Sequence, residues 1–359
     1  MTPAAWVRHQ GGRYPVLVRA GLIRDLGGLA AQWLPGRRLA VITDRTVARV
    51  VSAGIEAPTL VVAPGEISKS RSRWSTLTDR LLDLGFGRDA GIVALGGGVV
   101  GDLAGFVAAT YLRGVPWLMA PTSLIAMVDA SVGGKTGINT RHGKNLVGAF
   151  HPPAAVLADP EVLATLHSDH LAAGLVEAIK HGLIADAEYF GWIESRLDAL
   201  LQRDPEALTE LISRSVVIKS EIVSEDEREA GRRAVLNAGH TVGHAVEQVS
   251  RYSISHGDAI AIGLVVESAL ARDLGLAGDP VVRSLRSALE RLGRPVTLDP
   301  AWAVDDLMEA MQYDKKSRNG AIRFVLPNTL GSAAREGGLW TVPVPPATVR
   351  RILQDSFHS

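Results

Sequence analysis

The chain has 359 residues, 47% hydrophobic and 21% charged, and 38 Lys+Arg balance 38 Asp+Glu. That length suits two cores better than one, and the composition excludes a disordered polymer. Zero net charge supplies no basic field for nucleic acid or an anionic membrane, so neither is an expected partner and an anionic ligand needs local positive charge inside a cleft.

The start, Met1-Thr2-Pro3-Ala4-Ala5-Trp6-Val7-Arg8, lacks the charged-then-apolar layout of a signal peptide, and the expected compartment is the cytoplasm. No apolar run reaches about 18 residues without a charge or Gly/Pro, so no membrane span is expected. Short apolar runs predict strands at Tyr14–Leu17, Arg38–Thr43, Thr59–Val62, Gly91–Leu95 and Trp117–Ala120, with helix-like segments at Thr46–Ala53 and Ser70–Leu84 between them. Alternation of this kind implies a mostly parallel sheet covered on both faces. After about Leu166 helical periodicity takes over, at His170–Leu183, Pro205–Ser224, Asn237–Val249, Asp258–Leu274 and Pro280–Leu292, with one β-branched run at Ile322–Leu326. The break is expected near residues 160–170, where Asp159-Pro160 interrupts the chain.

Two regions carry chemistry. The strand Gly91–Leu95 runs into Gly96-Gly97-Gly98-Val99-Val100-Gly101-Asp102 and then a helix from Leu103 to Thr110. Glycines there let a backbone approach a pyrophosphate that the helix N-terminus attracts. The usual acidic residue about 20 positions later is missing, position 116 being Pro, and Asp44 at the end of an earlier strand is the better ribose ligand. In the second half, His240 and His244 stand at i, i+4, which on a helix puts both imidazoles on one face, an arrangement that suits some zinc sites and is more often simple packing. The chain has no cysteine, which excludes disulfides, zinc ribbons and thiol nucleophiles and leaves His and carboxylates as metal ligands. His256, Glu177, Lys180 and His181 are further candidates, and spacing alone chooses neither the carboxylate nor the ligating histidines. Lys135, Lys144, Lys219, Arg233, Lys315 and Lys316 read as cations that together could hold a phosphate and a carboxylate.

The run 96–159, with Pro121-Thr122-Ser123, the segment Asp129 to Asn139 and Gly143-Lys144-Asn145-Leu146, resembles the 3-dehydroquinate synthase family of sugar-phosphate cyclases. The resemblance continues in order through Gly174 to Lys180, Arg233, Leu236-Asn237, Gly239-His240-Thr241, Gly243-His244 and Asp314-Lys315-Lys316. It implies an α/β N-terminal nucleotide-binding domain, residues 1–165, and a mainly α-helical C-terminal metal- and substrate-binding domain, residues 166–359. It implies a phosphate-eliminating lyase of the shikimate pathway that converts DAHP, a phosphorylated keto acid, to 3-dehydroquinate by transient NAD oxidation, β-elimination, re-reduction and intramolecular aldol closure. The implied cofactors are NAD and one divalent metal, Zn2+ with Co2+ as a substitute, and the implied assembly is a homodimer. By the same resemblance Glu177, His240 and His256 bind the metal, and His244 moves from ligand to the substrate's side. Asp44, Glu66, Lys69, Gly97, Gly98, Val99, Asp102, Thr122, Ser123, Lys135, Lys144, Thr165 and Leu166 line the NAD site. Asp129, Lys135, Asn145, Lys180, Lys219, Arg233, Asn237, His244 and one or both of Lys315 and Lys316 surround the substrate. Ala238 replaces a usual aromatic, Asp258 a usual Glu, and segment 166–170 lacks the usual Pro and Arg. The competing readings are a cyclase for an amino analogue or a sugar 7-phosphate, an NAD-dependent polyol dehydrogenase, and a catalytically silent scaffold. Lys219, Arg233, Asn237 and Lys316 favour the dehydroquinate type over the sugar 7-phosphate type, and the amino analogue stays open.

Overall fold

The computed structural model describes residues 1–312 and 321–357. Contacts divide the chain into two compact units, residues 1–167 with 203–227, and residues 168–202 with 228–359.

In chain order the first unit contains β1 (Ala5–His9), β2 (Gly12–Val18), α1 (Leu26–Trp33), β3 (Arg38–Asp44), α2 (Val47–Val50), β4 (Thr59–Val62), α3 (Arg71–Asp83), β5 (Ala90–Gly96), α4 (Gly98–Thr110), β6 (Trp117–Pro121), β7 (Lys135–Thr140), β8 (Gly143–Phe150) and β9 (Ala155–Ala158). Seven strands form one sheet in the order β1-β2-β9-β6-β5-β3-β4. Only the β1–β2 pair is antiparallel. β5, β6 and β9 are buried along their whole length, as parallel strands covered on both faces must be. One core layer joins Leu17, Val41, Val93, Leu118 and Leu157 of the strands to Leu22, Leu26 and Leu29. After β3 the chain moves outward to β4, whereas after β5 it moves the other way to β6, so a topological switch point lies between β3 and β5. Asp44, Gly96 and Pro121 end these three neighbouring strands at one sheet edge, where such sheets bind ligands. β7 and β8 form a separate antiparallel hairpin in a stretch where no strand was predicted.

The second unit begins with α5 (Ser168–Ala185) and α6 (Ala187–Leu201), and α7 (Pro205–Glu225) then returns to the first unit. It packs on β1, where Arg8 N–H donates to Ser224 Oγ at 2.9 Å and Gln10 N–H to Glu227 at 2.7 Å. The expected single boundary at 165/166 therefore differs from these units over 203–227, because α7 buries its apolar face against the sheet rather than against its neighbours in sequence. The chain continues with α8 (His240–Val249), α9 (His256–Asp273), α10 (Asp279–Arg291), α11 (Val304–Gln312), short strands β10 to β13 (Ile322–Phe324, Pro327–Thr329, Ser332–Ala333, Val342–Val344) and α12 (Pro346–Asp355). α8 was expected to start at Asn237. It starts at His240 because residues 232–237 form a tight 3-10 turn and Gly239 adopts φ 77°, a left-handed geometry that interrupts any helix. No helix among the described residues is long and apolar enough to cross a membrane.

Candidate active site

Three helices of the second unit bring Glu177, His240 and His256 together. Glu177 lies on α5 and is 1% exposed, while His240 and His256 are the first residues of α8 and α9. One donor atom from each lies within 4.8 Å of the others. Glu177 Oε1 is 3.5 Å from His256 Nε2 and 3.9 Å from His240 Nε2. Ligands of a tetrahedral ion at 2.0–2.1 Å stand about 3.3 Å apart, so both spacings need only about 0.2–0.6 Å of contraction. The far ring nitrogens are engaged as a metal site needs. His240 Nδ1 is 3.0 Å from Ala238 O, and His256 Nδ1 is 3.5 Å from Glu247 Oε1, which leaves both Nε2 atoms facing Glu177. Burial and the Lys180 charge hold His240 well below the usual histidine range, against the pull of Glu177, and keep its Nε2 lone pair bare at neutral pH. Burial pushes His256 the same way, but hydrogen bonds to Glu177 and Glu247 outweigh it and raise its pKa to about 9. The three donors fit a divalent ion, which would displace a proton from His256 on binding.

The ligand-bearing helices meet at close range. Gly257 sits against α5, where a Cβ would lie 2.5 Å from Ala173 Cα. Arg294 ties the two helix starts together, its guanidinium 3.1 Å from Asp258 on α9 and 3.5 Å from Asp169 on α5. Asp258, the departure from the usual Glu, also accepts from Ser255 Oγ at 2.7 Å, and Ser255 caps α9. Lys180 is buried beside Glu177, with its Nζ on Oε2. The His244 ring stands edge-on to His240 at 5.3 Å and lies 6.5 Å from His256, beside the donor group rather than in it. Arg233 is 3% exposed, and Asn237 Nδ2 donates to Glu229 at 2.5 Å.

The other expected residues lie in the first unit. Asp44 ends β3, Gly97 and Thr122 follow the ends of the neighbouring β5 and β6, and Gly97 precedes α4, which carries Gly98, Val99 and Asp102. Asp44 Oδ1 accepts from the Thr46 and Val47 amides at 2.7 and 3.0 Å, so one carboxylate oxygen is already used in a turn. Lys69, 4% exposed, donates to Asp102 at 2.7 Å and to Asn145 Oδ1 at 2.6 Å. Burial pushes Asp102 above the usual carboxylate range, and Lys69 offsets part of that. Asn139 closes the network. Its Oδ1 accepts from Asn145 N–H at 3.0 Å, and its Nδ2 donates to Glu66 at 2.7 Å. Asn145 holds φ 56°, a geometry costly for most residues and tolerated by Asn. A groove of about 960 Å³ borders Glu66, Lys69, Arg71, Asn139 and Arg141. Lys219 reaches from α7 to Asp129, donating to its carbonyl at 2.5 Å and its carboxylate at 2.6 Å. Asp129 sits in a π-helical turn, Ala126–Ala130, a form often found at functional positions.

Lys135 and Lys144 are exposed on the hairpin, unlike the buried Lys219 and Arg233, and Lys135 borders a small pocket with Gly98 and Asp102. Thr165 and Leu166 close a 3-10 turn and bond to Val162 and Arg203. Lys315 and Lys316 lie outside the described residues. Glu247 was missed although it stands at i+7 from His240, on the face that carries His240 and His244.

Both halves of one family pattern match in order: the 3-dehydroquinate synthase N-terminal model over residues 59–173 and the C-terminal model over 174–317. A 3-dehydroquinate synthase of Methylococcus capsulatus is 46% identical over 89% of this chain and 91% of its own length. One of Acidithiobacillus ferrooxidans is 43% identical over 95% of this chain and 94% of its own. A 2-epi-5-epi-valiolone synthase from Streptomyces hygroscopicus, solved with NAD+ and Zn2+ bound, superposes with TM-score 0.84 at 31% identity over 95% of this chain and 96% of its own. A 2-deoxy-scyllo-inosose synthase, 24% identical with TM-score 0.89 over 98% of this chain and all of its own, shares the fold. Matched by both halves of the pattern and by relatives above 40% identity along nine-tenths of its length, the chain belongs to the 3-dehydroquinate synthase family.

Proposed function

We propose that this chain converts DAHP to 3-dehydroquinate and inorganic phosphate, with NAD used and regenerated and one divalent metal, Zn2+ or a substituting Co2+, held by Glu177, His240 and His256. The observation that carries this reading is the donor triangle with both Nδ1 atoms already engaged. The NAD+ and Zn2+ of the valiolone synthase support it. When bound, NAD takes up and returns one hydride, and the metal acidifies a substrate hydroxyl.

The protein's own groups bind, orient and move protons. Asp44, Glu66, Lys69, Gly97, Gly98, Val99, Asp102, Thr122, Ser123, Lys144, Thr165 and Leu166 serve the cofactor, and the buried Lys69–Asp102 pair fixes the start of α4, whose N-terminal amides favour an anion. Lys135, Asn145 and Lys180 take the phosphate, while Lys219, Arg233, Asn237, Lys315 and Lys316 orient carboxylate and hydroxyls. Asp129 keeps Lys219 in place, and His244 moves a proton beside the substrate. The protein acts in the cytoplasm as a homodimer.

The test is incubation of the purified protein with DAHP and NAD, with and without chelator, and identification of the product by mass and NMR. Chelator-sensitive phosphate release with 3-dehydroquinate and no net NADH is the expected result. A folded, metal-loaded, NAD-binding protein that leaves DAHP untouched would overturn this reading in favour of an amino analogue or a sugar 7-phosphate.

A further inference from the structure

The donor triangle depends on where α8 starts, because His240 is its first residue. A helix start exposes unpaired N–H groups, which a Ser, Thr, Asp or Asn at the N-cap ordinarily satisfies. Here the N-cap is Gly239, which has no side chain. No side chain can be placed there: the backbone holds φ 77°, and an added Cβ would lie 2.7 Å from Leu264 Cγ. The carboxylate comes from a distance instead. Glu267, 1% exposed, lies about three turns along α9 from His256. Its Oε2 accepts from Gly239 N–H at 2.6 Å and its Oε1 from Val242 N–H at 3.0 Å. Both oxygens thus hold the first turn of α8, and the negative charge faces the positive end of that helix. One turn before Glu267, Gly263 lets the two helices touch backbone to backbone, since a Cβ there would lie 1.9 Å from Gly239 O.

We infer that Glu267 is a positioning residue of the metal centre: by anchoring the amides on either side of His240 to the helix that begins with His256, it sets the spacing of the two imidazoles. The inference rests on the metal-binding reading above. It also explains why a carboxylate is kept in the interior, where an unpaired charge is costly.

The experiment measures the Zn2+ dissociation constant of the full chain by chelator competition, and the visible spectrum of the Co2+-loaded protein, for wild type, E267Q and L285A. E267Q keeps the size but turns an N–H group toward a backbone N–H. It should weaken Zn2+ binding about 10- to 100-fold, the range for lost supports of metal ligands, and change the Co2+ spectrum. Leu285, fully buried on α10, is the control for general loosening; L285A should lower thermal stability and leave the Zn2+ constant within about threefold. If E267Q does not fold, E267D carries the test, with the same direction and a smaller effect. Wild-type affinity and spectrum in the Glu267 variant, or an equal loss in L285A, would overturn the positioning role alone. A wild-type chain that takes up no Zn2+ would overturn the metal-binding reading and this one with it.

Discussion

A proton and a metal ion compete for the same lone pair on His256, and the structure gives the size of that competition. Glu177 and Glu247 flank the imidazole at 3.5 Å on either side and raise its pKa to about 9. Below that pH the ring is cationic and cannot ligate, so apparent metal affinity should rise with pH and flatten above about 9. An unscreened site would gain about tenfold per pH unit, or about a hundredfold from pH 7 to 9. The His256 side chain is 37% exposed, so solvent screening trims this, and a gain of about ten- to a hundredfold is expected. His240 is held neutral at these pH values and should contribute no further proton. Zn2+ affinity measured by chelator competition between pH 6.5 and 10 tests the slope. Calorimetry in buffers of different ionisation enthalpy tests the stoichiometry, about one proton released per ion at pH 7–8 and nearly none above 9.5. A flat profile with no proton release would refute the role given to His256, and two protons would refute the neutral state given to His240.

Replacing Arg233, buried at 3% exposure, with Ala should lower kcat/KM by about 2–5 kcal/mol of transition-state stabilisation if it pairs with a buried substrate anion, read by steady-state kinetics on DAHP; an unchanged value removes it from the site. Asn139→Ala frees Glu66 and leaves the Asn145 amide at φ 56° without its acceptor. It should weaken NAD binding and raise KM for DAHP, each by about 1–2 kcal/mol, with thermal stability nearly unchanged, as calorimetric NAD titration and kinetics would report.

The sheet was legible where burial writes itself into sequence. Apolar runs such as Gly91–Leu95 and Trp117–Ala120 become strands because both faces are covered. β7 and β8 were not, because Gly-rich stretches around Lys135 and Lys144 lack an alternating pattern, and the same exposed hairpin explains why those two lysines differ from Lys219. Lys219 stands among the apolar Val216, Val217, Ile218 and Ile222, but by sequence it is grouped with Lys135 and Lys144, and only the packing of α7 shows it to be buried. The triad of Glu177, His240 and His256 needed the resemblance, since helical spacing points equally to His244, and only the packing of three helices selects among them. Glu267 carried no local signal at all, because its role depends on the meeting of α8 and α9.

The return of α7 to the first unit has a consequence for how the chain acquires its shape during synthesis. A ribosome that has delivered residues 1–167 has delivered every strand of the large sheet but not the helix that covers β1 or the lysine that holds Asp129. The first unit is complete only after residue 227 emerges, by which time α5 and α6 of the other unit are already outside. A fragment cut at 167 should therefore leave Val7 of β1 and the turn at 126–130 without the helix that packs on them, whereas one extended through 227 carries that helix.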